Sequence, residues 1–173
     1  MDVLDAIHGL RVVRRFADRP LEPRALTAIL DAGHRASSSK NRQRWSFIVV
    51  TERERLLELA GVGPYAGHVG GAAAAVALVT PDPHRPDASL SISWDLGLAA
   101  QNMILAAWAL GIGSCPATVY DADLARRLLG FPPDLVCGYV LSFGHPADPT
   151  DLTRPLKPGG RRPLAEIAHE DRW

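Results

Sequence analysis

The stretch Ser37-Ser38-Ser39-Lys40-Asn41-Arg42-Gln43-Arg44-Trp45, running straight into Ser46-Phe47-Ile48-Val49-Val50-Thr51, decides how this chain is read. Its three consecutive hydroxyls and two carboxamides stand between a helical pattern and a β-branched apolar run. It is therefore a loop dense in hydrogen-bonding groups, of a kind that holds something polar. Taken alone, it reads equally well as a helix cap followed by a surface turn, because serine and asparagine satisfy neighbouring backbone groups.

Upstream, Val3, Leu4 and Ile7 recur at helical spacing as far as Gly9, which predicts a short amphipathic helix. Leu10-Arg11-Val12-Val13-Arg14-Arg15-Phe16 reads as an extended segment with cations on one side and apolar groups on the other, or as a solvated edge. Pro23 opens a second helix at a favoured first-turn position, with Leu26, Ile29, Leu30 and Gly33 on one stripe. Downstream, Phe47–Val50 is expected to be a buried strand and Glu52–Ala60 a charged helix with Leu56, Leu57 and Leu59 inward. Ala72–Val79 is an apolar stretch ending in a strand, and Pro81–Pro86 a loop. Ser91–Leu110 is the longest helical pattern, apolar around most of its circumference, so it is either central or covered by a partner. Ser114–Asp121 reads as a turn before a short helix carrying Leu124, Leu128 and Leu129, with Asp121 as its candidate cap. Val136–Phe143 is the third strand. The basic tail Lys157–Pro163 precedes a last amphipathic segment, Leu164–Ile167. No repeat or linker divides the chain, so residues 1–173 are expected to form a single domain.

Charge is balanced at 19 basic and 19 acidic residues, so no global field draws the chain to nucleic acid or to an anionic membrane. No window reads as a transmembrane helix, and Asp2, Asp5 and His8 interrupt the N-terminus where a signal peptide would be basic and then apolar. Cys115 and Cys137 are too few and too far apart for a metal motif or a disulfide framework. His68, His84 and His145 are scattered, so no metal site is expected. Gly111-Ile112-Gly113 follows a helix instead of a strand and is not a dinucleotide fingerprint. The expected location is cytoplasmic.

Four elements stand in a recognisable order: the arginine-rich segment ending in Phe16; the loop Ser37–Trp45; Asp95-Leu96-Gly97-Leu98-Ala99-Ala100-Gln101-Asn102 leading to Gly111-Ile112-Gly113-Ser114-Cys115; and the basic tail before Pro163-Leu164-Ala165-Glu166-Ile167. In this order the chain resembles a short member of the nitroreductase-like, FMN-dependent oxidoreductases. The resemblance implies an α+β fold, with a central mostly antiparallel sheet flanked by helices, in an intertwined homodimer with FMN sites built from both subunits. It also implies hydride transfer from NADH or NADPH through flavin N5 to a small electron-poor acceptor, such as a nitroaromatic or a quinone, by a ping-pong mechanism.

Residue by residue, Arg11 and Arg14 match basic positions of that family, Arg14 the one near the pyrimidine edge of the flavin. Arg161 and Arg162 match the C-terminal phosphate clamp. Arginine suits both tasks, because its planar fork pairs bidentately and keeps its proton. Ser37, Ser38, Ser39 and Asn41 would address the cofactor of the same or the neighbouring subunit, with Gln43 as a further donor. Pro116, Ala117, Thr118 and Val119 would border the ring, the Val119 N–H being within reach of N5. No side chain is expected to act as a general acid or base; the chemistry rests on the flavin. The chain departs from the family at Leu10, usually arginine, at Val12, often serine, at Arg44, usually proline, and at Thr118-Val119, where many members have Glu-Gly. These departures keep open a flavin-binding protein without NAD(P)H turnover, or an enzyme acting on the flavin itself. A nucleic-acid module built on the arginines is a more distant reading.

Overall fold

The computed structural model describes residues 2–155 and 159–173, so Lys157 and Pro158 of the basic tail lie outside the described residues. Four strands form one antiparallel sheet in the order β1-β2-β4-β3: β1 Ser46–Val50, β2 Ala74–Pro81, β3 Gly113–Thr118 and β4 Leu135–Gly144. Helices α1 (Val3–Gly9), α2 (Pro23–His34), α3 (Arg53–Leu59), α4 (Ser91–Ala109) and α5 (Ala122–Leu129) surround it. The α+β expectation is met.

The central strand explains the packing. β2 is buried on both faces, and its period of two divides the core. Ala75, Ala77 and Val79 join Val140 under α3 and α5, while Val76 and Leu78 join Leu141 and Phe143 under α2 and α4. Ile29 of α2 and Met103 of α4 are fully buried on this second face. Pro23 opens α2 at its first position as the sequence suggests. Asp121 does cap α5, accepting the Leu124 N–H at 2.8 Å.

Three expectations are corrected. Phe47–Val50 belongs to an edge strand rather than a buried one, so Val49 remains 38% exposed. Leu57 points to solvent, because Leu56 and Leu59, three apart, already fill the inward stripe of α3. The segment read as a turn from Ser114 is strand β3. Pro116 is tolerated there because β3 is an edge strand, where a missing N–H costs no ladder bond if it faces outward.

Residues 10–17 form a strap across the end of the sheet. Val13 donates its N–H to the Ser114 carbonyl at 3.0 Å, and Ala17 to that of His145 at 2.8 Å. The strap lies so close that a Cβ at Gly113 would stand 2.6 Å from the Val13 Cβ, and one at Gly144 would stand 2.8 Å from the Phe16 ring. Val13 is consequently buried, while its neighbours Val12 and Arg14 face outward. The two sides of the segment are thus divided by its crossing of β3 and β4, without a regular strand.

Candidate functional site

The strap arginines differ in what holds them: Arg14 and Arg15 are exposed, with Arg14 set against the Cys115 thiol. Arg11 turns back on its own chain. Its Nη1 donates to the carbonyls of His8, Gly9 and Leu10 at 2.9–3.0 Å, and its Nε donates to the Arg154 carbonyl at 2.8 Å. A cation is well placed at the C-terminal end of α1, where helix carbonyls lack partners. Arg154 continues the brace, donating to the Val12 carbonyl at 3.2 Å and pairing with Asp151 at 2.9 Å. Arg11 is therefore occupied in holding the strap.

Arg14 stands beside Cys115 and His68, close enough to act on the ionisation of both. His68 Nδ1 lies 2.8 Å from Ser142 Oγ, and Ser142 Oγ is 3.1 Å from the Cys115 carbonyl, to which it donates. A hydroxyl has one proton to give, so both bonds coexist only if Nδ1 carries a hydrogen and Ser142 accepts it. Nε2, closed off from solvent, then has no hydrogen-bond partner. Burial, then the Arg14 charge, lower the His68 pKa below its usual 6.5, opposed by the nearby Pro116 carbonyl. The ring is neutral. Burial raises the Cys115 thiol and pushes Cys137 up to about 11, so neither is a ready nucleophile.

The register of β3 determines which backbone donors face the site. Ser114 offers its carbonyl outward to Val13, whereas Val119 donates its N–H inward to the Gly138 carbonyl at 3.0 Å. Donor and acceptor of one residue share a side, and sides alternate. Residues 114, 116 and 118 therefore face the open edge, where Pro116 has no N–H to leave unpaired. The expectation that Val119 N–H is free for a ligand is thus overturned: that donor is spent on β4, and the outward one belongs to Thr118. Ala117 faces its side chain into the core. Thr118 and Val119 also line a cleft of about 440 Å³ with Leu96, Gly138 and Tyr139.

The serine loop is set apart from this group. Lys40 (φ 52°), Asn41 (φ 52°) and Gln43 (φ 47°) all adopt left-handed backbone, at a cost of about 1–3 kcal/mol each for residues other than glycine. Local bonds offset this: Gln43 N–H to Ser38 Oγ at 3.0 Å and Gln43 Nε2 to Asn41 Oδ1 at 2.9 Å. Ser37, Ser39, Asn41 and Gln43 are exposed. Gln43 and Trp45 border a groove of about 510 Å³ that shares no lining residue with the Thr118 cleft. Arg161 and Arg162 lie in a tail, residues 159–173, that is exposed throughout. The fold thus gathers Arg14, His68, Cys115 and Pro116, and leaves the hydroxyl loop and the tail arginines facing outward elsewhere.

Sequence reasoning missed the role of Ser142 and His68, which lie 74 residues apart and meet only across the sheet. It also left Asp95 without a role, although Asp95 is the single charged residue of α4. Arg44 brings a guanidinium into a cleft with Asp82, Arg85 and Asp134, where its Nη1 is enclosed and unpartnered. Among the described residues, no group of three His, Cys, Asp or Glu side chains could hold a metal ion, and no helix is long and apolar enough to cross a membrane.

Comparison with known proteins adds an independent line. The family model described as Nitroreductase family matches residues 7–66 and 63–145. A provisionally named NADH dehydrogenase/NAD(P)H nitroreductase of Archaeoglobus fulgidus is 34% identical over 157 residues, covering 87% of this chain and 89% of the relative. Nitroreductase A from Vibrio parahaemolyticus superposes with a TM-score of 0.85 at 29% identity, over 100% of this chain and 77% of that one. The NADPH:FMN oxidoreductase from Vibrio harveyi, solved with NAD+, gives 0.82 at 27% identity, over 98% and 77%.

Proposed function

This chain belongs to the nitroreductase family, and we propose that it uses FMN to pass reducing equivalents from NADH or NADPH to a small electron-poor acceptor, a nitroaromatic, a quinone or a compound like them. It is an NAD(P)H-dependent oxidoreductase. The observation that carries the FMN assignment is the donor set along the β3 edge. An exposed Arg14 guanidinium and an outward Thr118 N–H would meet the two needs of a flavin edge, a fixed positive charge near N1 and C2=O and a neutral donor near N5. The residues present fit the group.

In this reading a bound FMN would supply the hydride chemistry at its N5. The chain orients it. Arg14 would hold the pyrimidine edge and favour negative charge there, and Thr118 would offer the backbone donor in place of Val119. Ser37, Ser38, Ser39 and Asn41, with Gln43, would supply neutral hydrogen bonds, and Arg161 and Arg162 would hold the phosphate. Pro116 and Ala117 form the strand on which Thr118 is carried. Arg11 serves this site indirectly, by bracing the strap that carries Arg14. No side chain is needed as a general acid or base.

A homodimer is part of the proposal. Exposed apolar groups on α1 (Val3, 69%, and Leu4, 59%), on α4 (Trp94, 71%) and in the tail (Leu164, 73%) support a second copy covering these elements. So does the outward placement of the loop and the tail arginines, which would then complete the partner's site. Use of one pocket for donor and acceptor implies ping-pong kinetics. Initial rates at varied NAD(P)H and acceptor should give parallel double-reciprocal lines, and intersecting lines would rule out the single shared pocket.

A further inference from the structure

The Ser37–Gln43 loop is held in an unfavourable backbone conformation, yet nearly all its hydrogen bonds are internal. Asn41 N–H donates to the Ser38 carbonyl at 2.9 Å, Arg42 N–H to that of Ser39 at 3.1 Å, and the two Gln43 bonds close on Ser38 and Asn41. Bonds of this kind move with the loop. Trp45 N–H donates to the Gln43 carbonyl at 2.8 Å, where the loop runs into the next strand. Among the described residues, one hydrogen bond ties residues 37–43 to a part of the fold distant in sequence: the Ser39 N–H donates to Asp95 Oδ2 at 3.0 Å.

Asp95 is an unexpected residue at its position. It is 2% exposed, in the second turn of a 19-residue helix that has no other charged side chain. Burying a carboxylate is costly, and its persistence there calls for a specific partner. A carboxylate accepting a backbone N–H forms a charge-assisted bond, stronger than a neutral one. α4 is itself fixed against α2 and the sheet through Leu96 and Met103. The Asp95 oxygen is therefore a fixed point.

We propose that Asp95 is the positioning residue of the site: its carboxylate, through Ser39 N–H, locks the Ser37–Gln43 loop in the one arrangement that presents Ser37, Ser39 and Asn41 to the cofactor. It touches no ligand. Its effect is preorganisation, because a loop already ordered loses less freedom when it binds. This rests on the reading of that loop as part of the FMN site.

The test uses the full-length protein with Asp95→Ala and Asp95→Asn. Backbone hydrogen exchange is measured without flavin, and FMN affinity by fluorescence quenching. Asp95→Ala should raise exchange at Ser39–Asn41 at least tenfold while leaving β2 and β4 protected. It should weaken FMN on the order of ten- to a hundredfold, the range of one lost charge-assisted bond. Asp95→Asn keeps an acceptor of the same shape and should restore most of both. Unchanged exchange at Ser39–Asn41 in Asp95→Ala would overturn the proposal, and so would faster exchange with wild-type FMN affinity. Wild-type protein that binds no FMN would instead remove the reading on which the proposal rests, while the exchange result would still decide whether Asp95 anchors the loop.

Discussion

Ser142→Ala should be the most informative single deletion in the sheet. The side chain is fully buried, and its hydroxyl both accepts from His68 Nδ1 at 2.8 Å and donates to the Cys115 carbonyl at 3.1 Å. Two bonds are lost, at about 1 kcal/mol net each. The larger effect is on the imidazole. Nε2 already lacks a partner, so the substitution leaves both ring nitrogens unsatisfied, and an orphaned buried donor adds about 1–3 kcal/mol. The expected loss is about 3–5 kcal/mol, or roughly 6–20 °C in Tm for a chain of this size. Urea unfolding should show a lower midpoint at unchanged slope. The His68→Leu/Ser142→Ala double variant should recover 1 kcal/mol or more of the additive sum, at order-of-magnitude precision, because no imidazole is then left unpaired. A Ser142→Ala loss below about 0.5 kcal/mol, or strict additivity in the cycle, would refute the network and the tautomer deduced from it.

Other consequences follow from the same geometry. The folded chain holds His68 below its usual pKa of 6.5, whereas the unfolded chain does not. As the pH falls through 6.5 the unfolded state therefore takes up a proton first. The stability owed to this ring is complete above that pH and declines below it, until the folded ring protonates too. His68→Gln should remove that decline, measured as a flatter dependence of the urea midpoint on pH across the mildly acidic range. Replacing Arg161 and Arg162 together by alanine should weaken FMN, each charge-assisted bond being worth about 1.5–3 kcal/mol, and should leave riboflavin affinity little changed; equal losses for both flavins would show that the phosphate is held elsewhere. Arg14→Ala should lower the reduction potential of bound FMN and slow its reduction by NAD(P)H, with little change in apoprotein Tm, and an unaltered potential would remove Arg14 from the ring edge.

Much of the fold is legible in the sequence because its signals are local. Pro23 with the stripe through Ile29 marks α2, and the long apolar helix and the β-branched strands announce themselves. β3 is not legible. Its residues Gly113-Ser114-Cys115-Pro116-Ala117-Thr118 are small, and a proline within them argues against any strand except an edge, a position that only the assembled sheet reveals. The hydroxyl loop is legible as a polar site, yet its anchor is not, because Asp95 lies 56 residues downstream of Ser39. Arg11 and Arg14 look equivalent in the sequence. They differ only because the α1 C-terminus and Arg154 lie within reach of Arg11. Likewise, that the Val119 N–H is spent on Gly138 while that of Thr118 faces outward follows from strand alternation, which depends on a pairing no spacing rule supplies.

The central claim, that this chain holds FMN where NAD(P)H can reduce it, is tested most directly by anaerobic titration of the FMN-loaded protein with NADH and with NADPH. The visible absorption of the flavin should bleach stoichiometrically with at least one of the two and return when a quinone or nitroaromatic is added. Bound FMN that stays oxidised in the presence of both nucleotides would contradict the claim.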